Sequence, residues 1–195
     1  MGKKQSLNPF FCSADDWQNN ACLNWGSDPL EFYAIGYKEA ADALVQHVID
    51  TNRYQDVLVY PICFLYRQYL ELRLKEIIRE GNALLDENAS FPTHHRLHEL
   101  WPLVKGIVRR VWKTKKPSGF EFIEHAVTEF SKLDPESFSF RYPTDKEGRK
   151  VLLEIKHINI RHLSEQLAQV AEILDGFSSG ISIYRDFKNE MDSYC

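Results

Sequence analysis

One strip of charged side chains in this sequence has types and spacing that suit chemistry. Arg67, Glu71 and Lys75 follow one another at intervals of four within an otherwise apolar stretch, so they share one side of a predicted helix. Partly buried charges must be hydrogen-bonded to be tolerated. The strip is therefore either a structural network or the polar wall of a site, and Arg67 and Glu71 are candidate catalytic residues.

A second candidate group lies near the start of the last long predicted helix. His157, Arg161 and Glu165 fall on one stripe away from its apolar face, with His162 beside them. The simplest interpretation is an exposed polar surface. The functional alternative is that two copies of the chain bring this face to a groove, where an imidazole accepts a 2′-hydroxyl proton and a guanidinium holds a phosphate.

The third group is a basic segment. Residues 96–116 contain seven Lys or Arg and one acid, a net charge of about +6, in a chain whose formal charge is −4. Phosphate contact is the functional interpretation. The predicted contacts are Lys105, Arg109, Arg110 and Lys113. Trp101 falls on an apolar stripe and is expected in the core. The acidic total disfavours nucleic-acid binding as a main role unless a dimer assembles such patches.

Several classes of site and location lose support. The sequence has no phosphate-binding Gly-x-x-x-x-Gly-Lys-Ser/Thr loop and no Gly-x-Gly-x-x-Gly. His94 and His98 are spaced as metal ligands but lack a third partner, so we expect no metal and no cofactor. The four cysteines form no Cys-x-x-Cys pair, which fits a reducing cytoplasm. No apolar run approaches the roughly 20 residues that cross a bilayer.

Apolar residues repeat every three or four positions over most of the chain, which predicts helices. The first begins at Pro29 and the second runs from Pro61 to Gly81. The second is apolar on most sides, so we expect it at the centre of the fold. The apolar stripe of the first helix is Tyr33, Tyr37, Ala41, Leu44, Val45 and Val48.

Two further helices are predicted after the second one. Beyond them, the spacing of apolar residues changes from three or four positions to two. Alternating apolar and polar residues over 138–142, a turn, and the apolar segment 151–155 predict a β-hairpin at about 138–155. A last long helix follows from Asn159 and is expected to stop at Gly176. The prediction is an all-α helical bundle of about five long helices with a small inserted β-hairpin.

The chain is expected to hold one domain. Residues 28–195 carry the periodic segments, whereas 1–27 lack a sustained period and predict an irregular N-terminal arm. We expect this arm to pack on the body of the domain through its aromatic residues. These are Phe10, Phe11, Trp17 and Trp25.

Two segments carry a family resemblance. Tyr60–Lys75, which reads Tyr-Pro-Ile-Cys-Phe-Leu-Tyr-Arg-Gln-Tyr-Leu-Glu-Leu-Arg-Leu-Lys, and His95–Leu100, which reads His-Arg-Leu-His-Glu-Leu, resemble HEPN-like proteins (higher eukaryote and prokaryote nucleotide-binding). The resemblance covers about a quarter of the chain. It implies a helical bundle that often forms a homodimer. It also implies either a metal-independent endoribonuclease of toxin–antitoxin or antiviral defence systems, with RNA and an antitoxin as partners, or a noncatalytic module that binds a protein or a nucleotide.

The sequence departs from this family in one motif. Active HEPN-like proteins carry Arg, four to six residues, and then His, and no arginine here has that spacing. Whether the chain is an enzyme is therefore open. If it is, the catalytic groups come from a variant set, and the product carries a 2′,3′-cyclic phosphate. The candidate catalytic residues are His157, Arg161, His162, Arg141, Arg67 and Glu71.

Overall fold

The computed structural model describes residues 9–23, 29–113 and 117–194, and helices dominate them. The described part of the chain contains five α-helices and one 3-10 turn, Trp17–Asn19. The α-helices are α1 (Pro29–Thr51), α2 (Gln55–Leu84), α3 (Leu97–Val111), α4 (Phe120–Leu133) and α5 (Ile160–Ser193). The predicted all-helical bundle is therefore confirmed. None of the helices in these ranges has the length and apolar character needed to cross a membrane.

Helix α2 lies at the centre of the bundle. It packs against α1, α3 and α5, while α4 contacts α3 and α5. Ile62, Leu70, Leu74 and Ile77 of α2 are fully buried, because a helix with apolar residues on several sides can bury them only among several neighbours. The prediction that this helix is central is confirmed.

Helix α1 buries one stripe against this centre. Ala41, Val45 and Val48 are buried as the spacing predicts. Tyr33, which belongs to the predicted stripe, is exposed instead, and Ala34 is buried in the same turn. The small side chain of Ala34 fits the packed face, whereas the tyrosine keeps its hydroxyl in water.

The predicted limits of α2 are wrong at both ends. The helix begins at Gln55, so Pro61 lies inside it rather than at its start. It also continues past Gly81 to Leu84. Gly81 is needed for close packing and not as a cap, because a Cβ atom there would lie 2.2 Å from Cγ2 of Ile107 on α3.

Helix α5 also continues through its predicted end. Gly176 lies inside the helix, since Phe177 and Ile181 extend the buried stripe beyond it and tertiary packing outweighs the low helix propensity of glycine. Gly180 lets the ring of Trp112 approach the helix. A Cβ atom at Gly180 would lie 2.6 Å from Cζ2 of that ring.

The predicted β-hairpin at 138–155 is not formed. Within the described residues there is no strand, and one isolated antiparallel bridge joins Thr144 to Lys150. The segment with alternating residues folds as a tight turn, in which the Tyr142 amide donates to the Phe138 carbonyl at 3.2 Å. The rings of these two residues stack with centroids 4.5 Å apart. A short alternation of aromatic and polar residues suits such a turn as well as a strand.

The described part of the N-terminal arm does not bury its aromatic residues. Phe10 and Phe11 are fully exposed and Trp17 is mostly exposed, so they do not pack on the helices as expected. The side-chain hydrogen bonds of the segment join its own residues, for example Asn20 Nδ2 to the Ala14 carbonyl at 2.7 Å. Trp25 lies outside the described residues.

Candidate functional site

The carboxylate of Glu71 is the centre of a buried polar cluster on α2. Its side chain is 1% exposed and meets three donor groups. Arg67 Nη1 donates to Oε2 at 2.9 Å, and Lys75 Nζ donates to Oε1 at 2.9 Å. His95 Nδ1 lies 2.8 Å from the same Oε1. Burial alone would raise the pKa of Glu71, but hydrogen bonds from Lys75, Arg67 and His95 outweigh it and lower that pKa, so the group is an anion at neutral pH.

Arg67 joins α2 to two other segments. Its guanidinium is fully buried, and Nη2 donates to the main-chain carbonyl of His95 at 2.5 Å. Nε donates to the main-chain carbonyl of Asp134 at 3.2 Å and lies 3.2 Å from Oδ2 of the same residue. One guanidinium therefore brings the segment before α3 and the end of α4 to the same side of α2.

Asp134 in turn fixes the loop that follows α4. Its Oδ1 accepts hydrogen bonds from the amides of Phe138 and Ser139. Ser137 is buried with a φ of 61°, a left-handed conformation that only a well-determined loop imposes on a serine. The Ser137 carbonyl accepts hydrogen bonds from Nε and Nη2 of Arg141. The candidate residue Arg141 is thus tied to the same cluster through its loop.

His95 is the member of the cluster that reaches solvent. Its side chain is 55% exposed. Because an ionised carboxylate only accepts hydrogen bonds, Nδ1 is the donor in this contact, and in the neutral ring Nε2 is then the acceptor. No other described residue bonds that nitrogen. An imidazole oriented by a buried carboxylate, with its second nitrogen free at the surface, is an arrangement suited to general acid–base catalysis.

The structure divides the sequence-predicted catalytic residues. Arg67 and Glu71 lie in the cluster, and Arg141 lies on the loop attached to it. His157, Arg161 and His162 are exposed, and in the described ranges no hydrogen bond or ion pair connects them to the cluster. Their exposure, just before and in the first turn of α5, agrees with the exposed-surface interpretation.

Two of the four predicted phosphate contacts are paired with acidic neighbours. Lys105 Nζ lies 2.8 Å from Glu124 Oε2. Arg110 binds both carboxylate oxygens of Glu87, at 2.8 and 3.0 Å. The other two are Arg109, whose guanidinium lies over the Phe120 ring, and Lys113, which is exposed. The local positive charge is therefore partly neutralised within the fold.

A second buried polar cluster lies on the side of α2 that faces α5. Arg73 Nη1 lies 2.5 Å from Glu76 Oε2, and Arg73 Nη2 lies 3.0 Å from Asp175 Oδ1. The Ser178 hydroxyl donates to Glu76 Oε1 at 2.6 Å. Burial alone would lower the pKa of Arg73, but Glu76 and Asp175 raise it. This cluster joins two helices, and its arginine and glutamate are buried.

Sequence reasoning missed two members of the Glu71 cluster, His95 and Asp134. They lie 24 and 63 positions from Glu71 along the chain, so no spacing rule links them to α2. A buried carboxylate needs more partners than its own helix supplies, and that need is the signal that could have prompted a search among the histidines.

In residues 9–23, 29–113 and 117–194, no group of three or more His, Cys, Asp or Glu side chains is placed to hold a metal ion. Comparisons with protein families, with curated proteins and with solved structures gave no match for this chain.

Proposed function

We propose that this chain is an HEPN-like protein of a bacterial defence or toxin–antitoxin type that cleaves RNA without a metal ion, and that His95 transfers the proton. The observation that supports this proposal is the geometry of His95. Glu71 holds Nδ1 from inside the fold, the side chain is 55% exposed, and Nε2 has no hydrogen-bond partner among the described residues. A nitrogen so placed accepts a proton from a bound hydroxyl.

In the proposed reaction, that nitrogen acts as the general base. Nε2 of His95 takes the proton of a ribose 2′-hydroxyl, and the 2′-oxygen forms a bond to the adjacent phosphorus. The bond from phosphorus to the 5′-oxygen breaks, and that oxygen takes a proton from water. The products are a 2′,3′-cyclic phosphate and a 5′-hydroxyl, and the imidazolium returns its proton to solvent. The Glu71 carboxylate stabilises the imidazolium while it exists.

Arg67, Glu71 and Lys75 act in this scheme as positioning residues. All three are buried, so they do not touch the RNA. Arg67 fixes the main chain of His95, and Glu71 fixes its ring. Lys75 and Arg67 compensate the charge of Glu71, which keeps a carboxylate ionised in a buried place.

The experiment is RNA cleavage in the presence of EDTA. End-labelled transfer RNA and bulk RNA are incubated with the wild type, with His95→Gln and with the control His157→Gln. Glutamine keeps a donor for Glu71 but accepts no proton. We expect cyclic-phosphate ends from the wild type and the control, and a rate at least about 100-fold lower for His95→Gln.

Three results would contradict the proposal. The first is that the wild-type protein, at concentrations well above that of the RNA, leaves the RNA intact. The second is that cleavage requires a divalent metal ion. The third is that His95→Gln cleaves RNA as fast as the wild type does. Loss of cleavage in His157→Gln, with His95→Gln unaffected, would move the chemistry to the start of α5. An Arg161→Ala, His162→Ala variant then tests that surface directly.

The second candidate function is a noncatalytic module that binds a protein, and one observation favours it. Ile183, Phe187 and Met191 lie on one stripe of α5 and are 53%, 62% and 69% exposed. Such an apolar stripe is typical of a contact surface. If this candidate is right, expression of the wild type leaves cell growth unchanged, and Phe187→Ser abolishes association seen by sedimentation. A ribonuclease impairs growth unless His95 is replaced.

A further inference from the structure

The loop after α4 carries a surface group that the proposed reaction does not use. We call it the Arg141 platform, and it consists of Arg141, Phe138 and Tyr142 of that loop together with Phe64 of α2. The Arg141 guanidinium carbon lies 5.5 Å from the ring centroid of Tyr142, 5.6 Å from that of Phe64 and 5.9 Å from that of Phe138. The Phe138 and Tyr142 rings are stacked, with an interplanar angle of 25°. The result is a stacked pair of rings, with one planar cation beside it that also approaches the Phe64 ring.

The platform is held in one shape before any ligand arrives. Nε and Nη2 of Arg141 both donate to the Ser137 carbonyl, which fixes the plane of the guanidinium. Asp134 accepts the amides of Phe138 and Ser139, and Arg67 binds Asp134 from the buried side. A preorganised surface loses little entropy when it binds.

Two groups of the platform remain available to a ligand. Nη1 of Arg141 makes no hydrogen bond to any other described residue, and the arginine is exposed. The Tyr142 side chain is 49% exposed. A ring face and a fork of N–H donors at the surface match a ligand that has a flat aromatic face and an acceptor or negative charge. A nucleotide has both, whereas an aliphatic or acidic peptide has no face to stack.

The segment that carries the platform is joined to the segment of the proposed proton-transfer group. The same Arg67 guanidinium bonds the main-chain carbonyls of His95 and Asp134, so the two segments that carry His95 and the platform meet at one residue. Arg96 Nε and Glu136 Oε1, 2.8 Å apart, join these segments a second time at the surface.

We infer that the Arg141 platform binds one nucleotide of single-stranded RNA, with its base stacked on Tyr142 and an acceptor oxygen at Arg141 Nη1. The identity of the ligand as RNA rests on the proposed function. The platform then positions a strand whose neighbouring 2′-hydroxyl reaches His95. Arg141 and Tyr142 are positioning residues in this scheme.

The test is binding of a fluorescent 2′-O-methylated hexanucleotide, which lacks the attacking hydroxyl and cannot be cleaved. Anisotropy is measured at one fixed salt concentration for the wild type, Tyr142→Ala, Tyr142→Phe, Arg141→Lys and the control Arg149→Ala. Arg149 is an exposed arginine in the neighbouring turn. We expect Kd to rise about tenfold in Tyr142→Ala and Arg141→Lys, and to stay within about twofold in Tyr142→Phe and Arg149→Ala.

The outcomes separate this inference from the proposed function. The inference is overturned if the wild type, Tyr142→Ala and Arg141→Lys bind the oligonucleotide with equal affinity, even if the wild type cleaves RNA. It is also overturned if the wild type does not bind the oligonucleotide at all. Weaker binding by those two variants supports nucleotide binding at the platform, even if the wild type cleaves no RNA. In that case the proposed ribonuclease function is wrong, but the inference about the platform stands. Melting curves check that each variant is folded.

Discussion

Replacement of Glu71 by glutamine removes the one anion that Arg67 and Lys75 share inside α2. Both cations remain buried, and each loses a carboxylate oxygen that lies 2.9 Å away. The amide of glutamine has nearly the shape of the carboxylate but no charge, and its NH₂ group faces other donors. The variant therefore isolates the charge of Glu71 from its volume.

The expected loss is large. Removal of one partner from a buried ion pair costs about 3–5 kcal/mol, because the remaining charge is left uncompensated away from water. Domains of ordinary size have a free energy of unfolding of about 5–15 kcal/mol. We therefore expect Glu71→Gln to lose roughly a fifth of the stability of the wild type at the least, and to fail to fold if the wild type is only marginally stable.

The loss of stability caused by Glu71→Gln depends on pH in a defined direction. Hydrogen bonds lower the pKa of Glu71 in the folded state, so folding is stabilised above the unfolded pKa of about 4.3 and loses that contribution as pH falls through the folded pKa. The difference in the free energy of unfolding between wild type and Glu71→Gln should be full at pH 7 and shrink below about pH 4.

Urea denaturation followed by circular dichroism at pH 7 and at pH 3.5 measures both effects. Glu39→Gln is the matched control, since Glu39 is exposed on α1. It should change the free energy of unfolding by less than about 0.5 kcal/mol. A loss under about 1 kcal/mol for Glu71→Gln at pH 7, or a loss that does not shrink in acid, would refute the reasoning.

Three further stability changes are expected, each measured by urea denaturation. Gly81→Ala should destabilise by about 1–3 kcal/mol because its Cβ collides with Ile107, whereas the control Gly106→Ala meets nothing within 4 Å and should stabilise by about 0.5–1 kcal/mol. Asn159→Ala removes the cap of α5 and should cost about 1 kcal/mol. Asp134→Ala should cost at least about 3 kcal/mol, since it removes one of the two acids beside the buried Arg67 and leaves two amides without an acceptor. Equal effects of the two glycine variants, or a loss under about 1 kcal/mol for Asp134→Ala, would contradict these contacts.

The helices could be predicted from the sequence because each depends on local periodicity. The central place of α2 follows from apolar residues on most of its sides, and Arg67, Glu71 and Lys75 share a strip because helical geometry puts residues four apart on one side. The limits of the helices were harder to predict. Gly81 and Gly176 resemble caps in sequence, but contacts with other parts of the fold carry both helices past them.

The partners of Glu71 could not be predicted because they depend on how segments meet. His95 is one of three histidines within five residues, and only the approach of its segment to α2 distinguishes it from His94 and His98. The turn around Phe138 has the alternation of a strand, but hydrogen bonds to Asp134 set its path. Contacts between segments that are distant in the sequence produce no repeating pattern of apolar and polar residues from which they could be predicted.

The orientation of one imidazole tests the account most directly. Nitrogen-15 NMR of the histidine rings at pH 8, where an ordinary imidazole is neutral, reports which nitrogen carries the proton. We predict that His95 carries it on Nδ1, held by Glu71, with Nε2 free, whereas exposed His157 serves as a reference without a fixed partner. A His95 ring protonated on Nε2, or one that averages between the two forms as His157 does, would contradict the account.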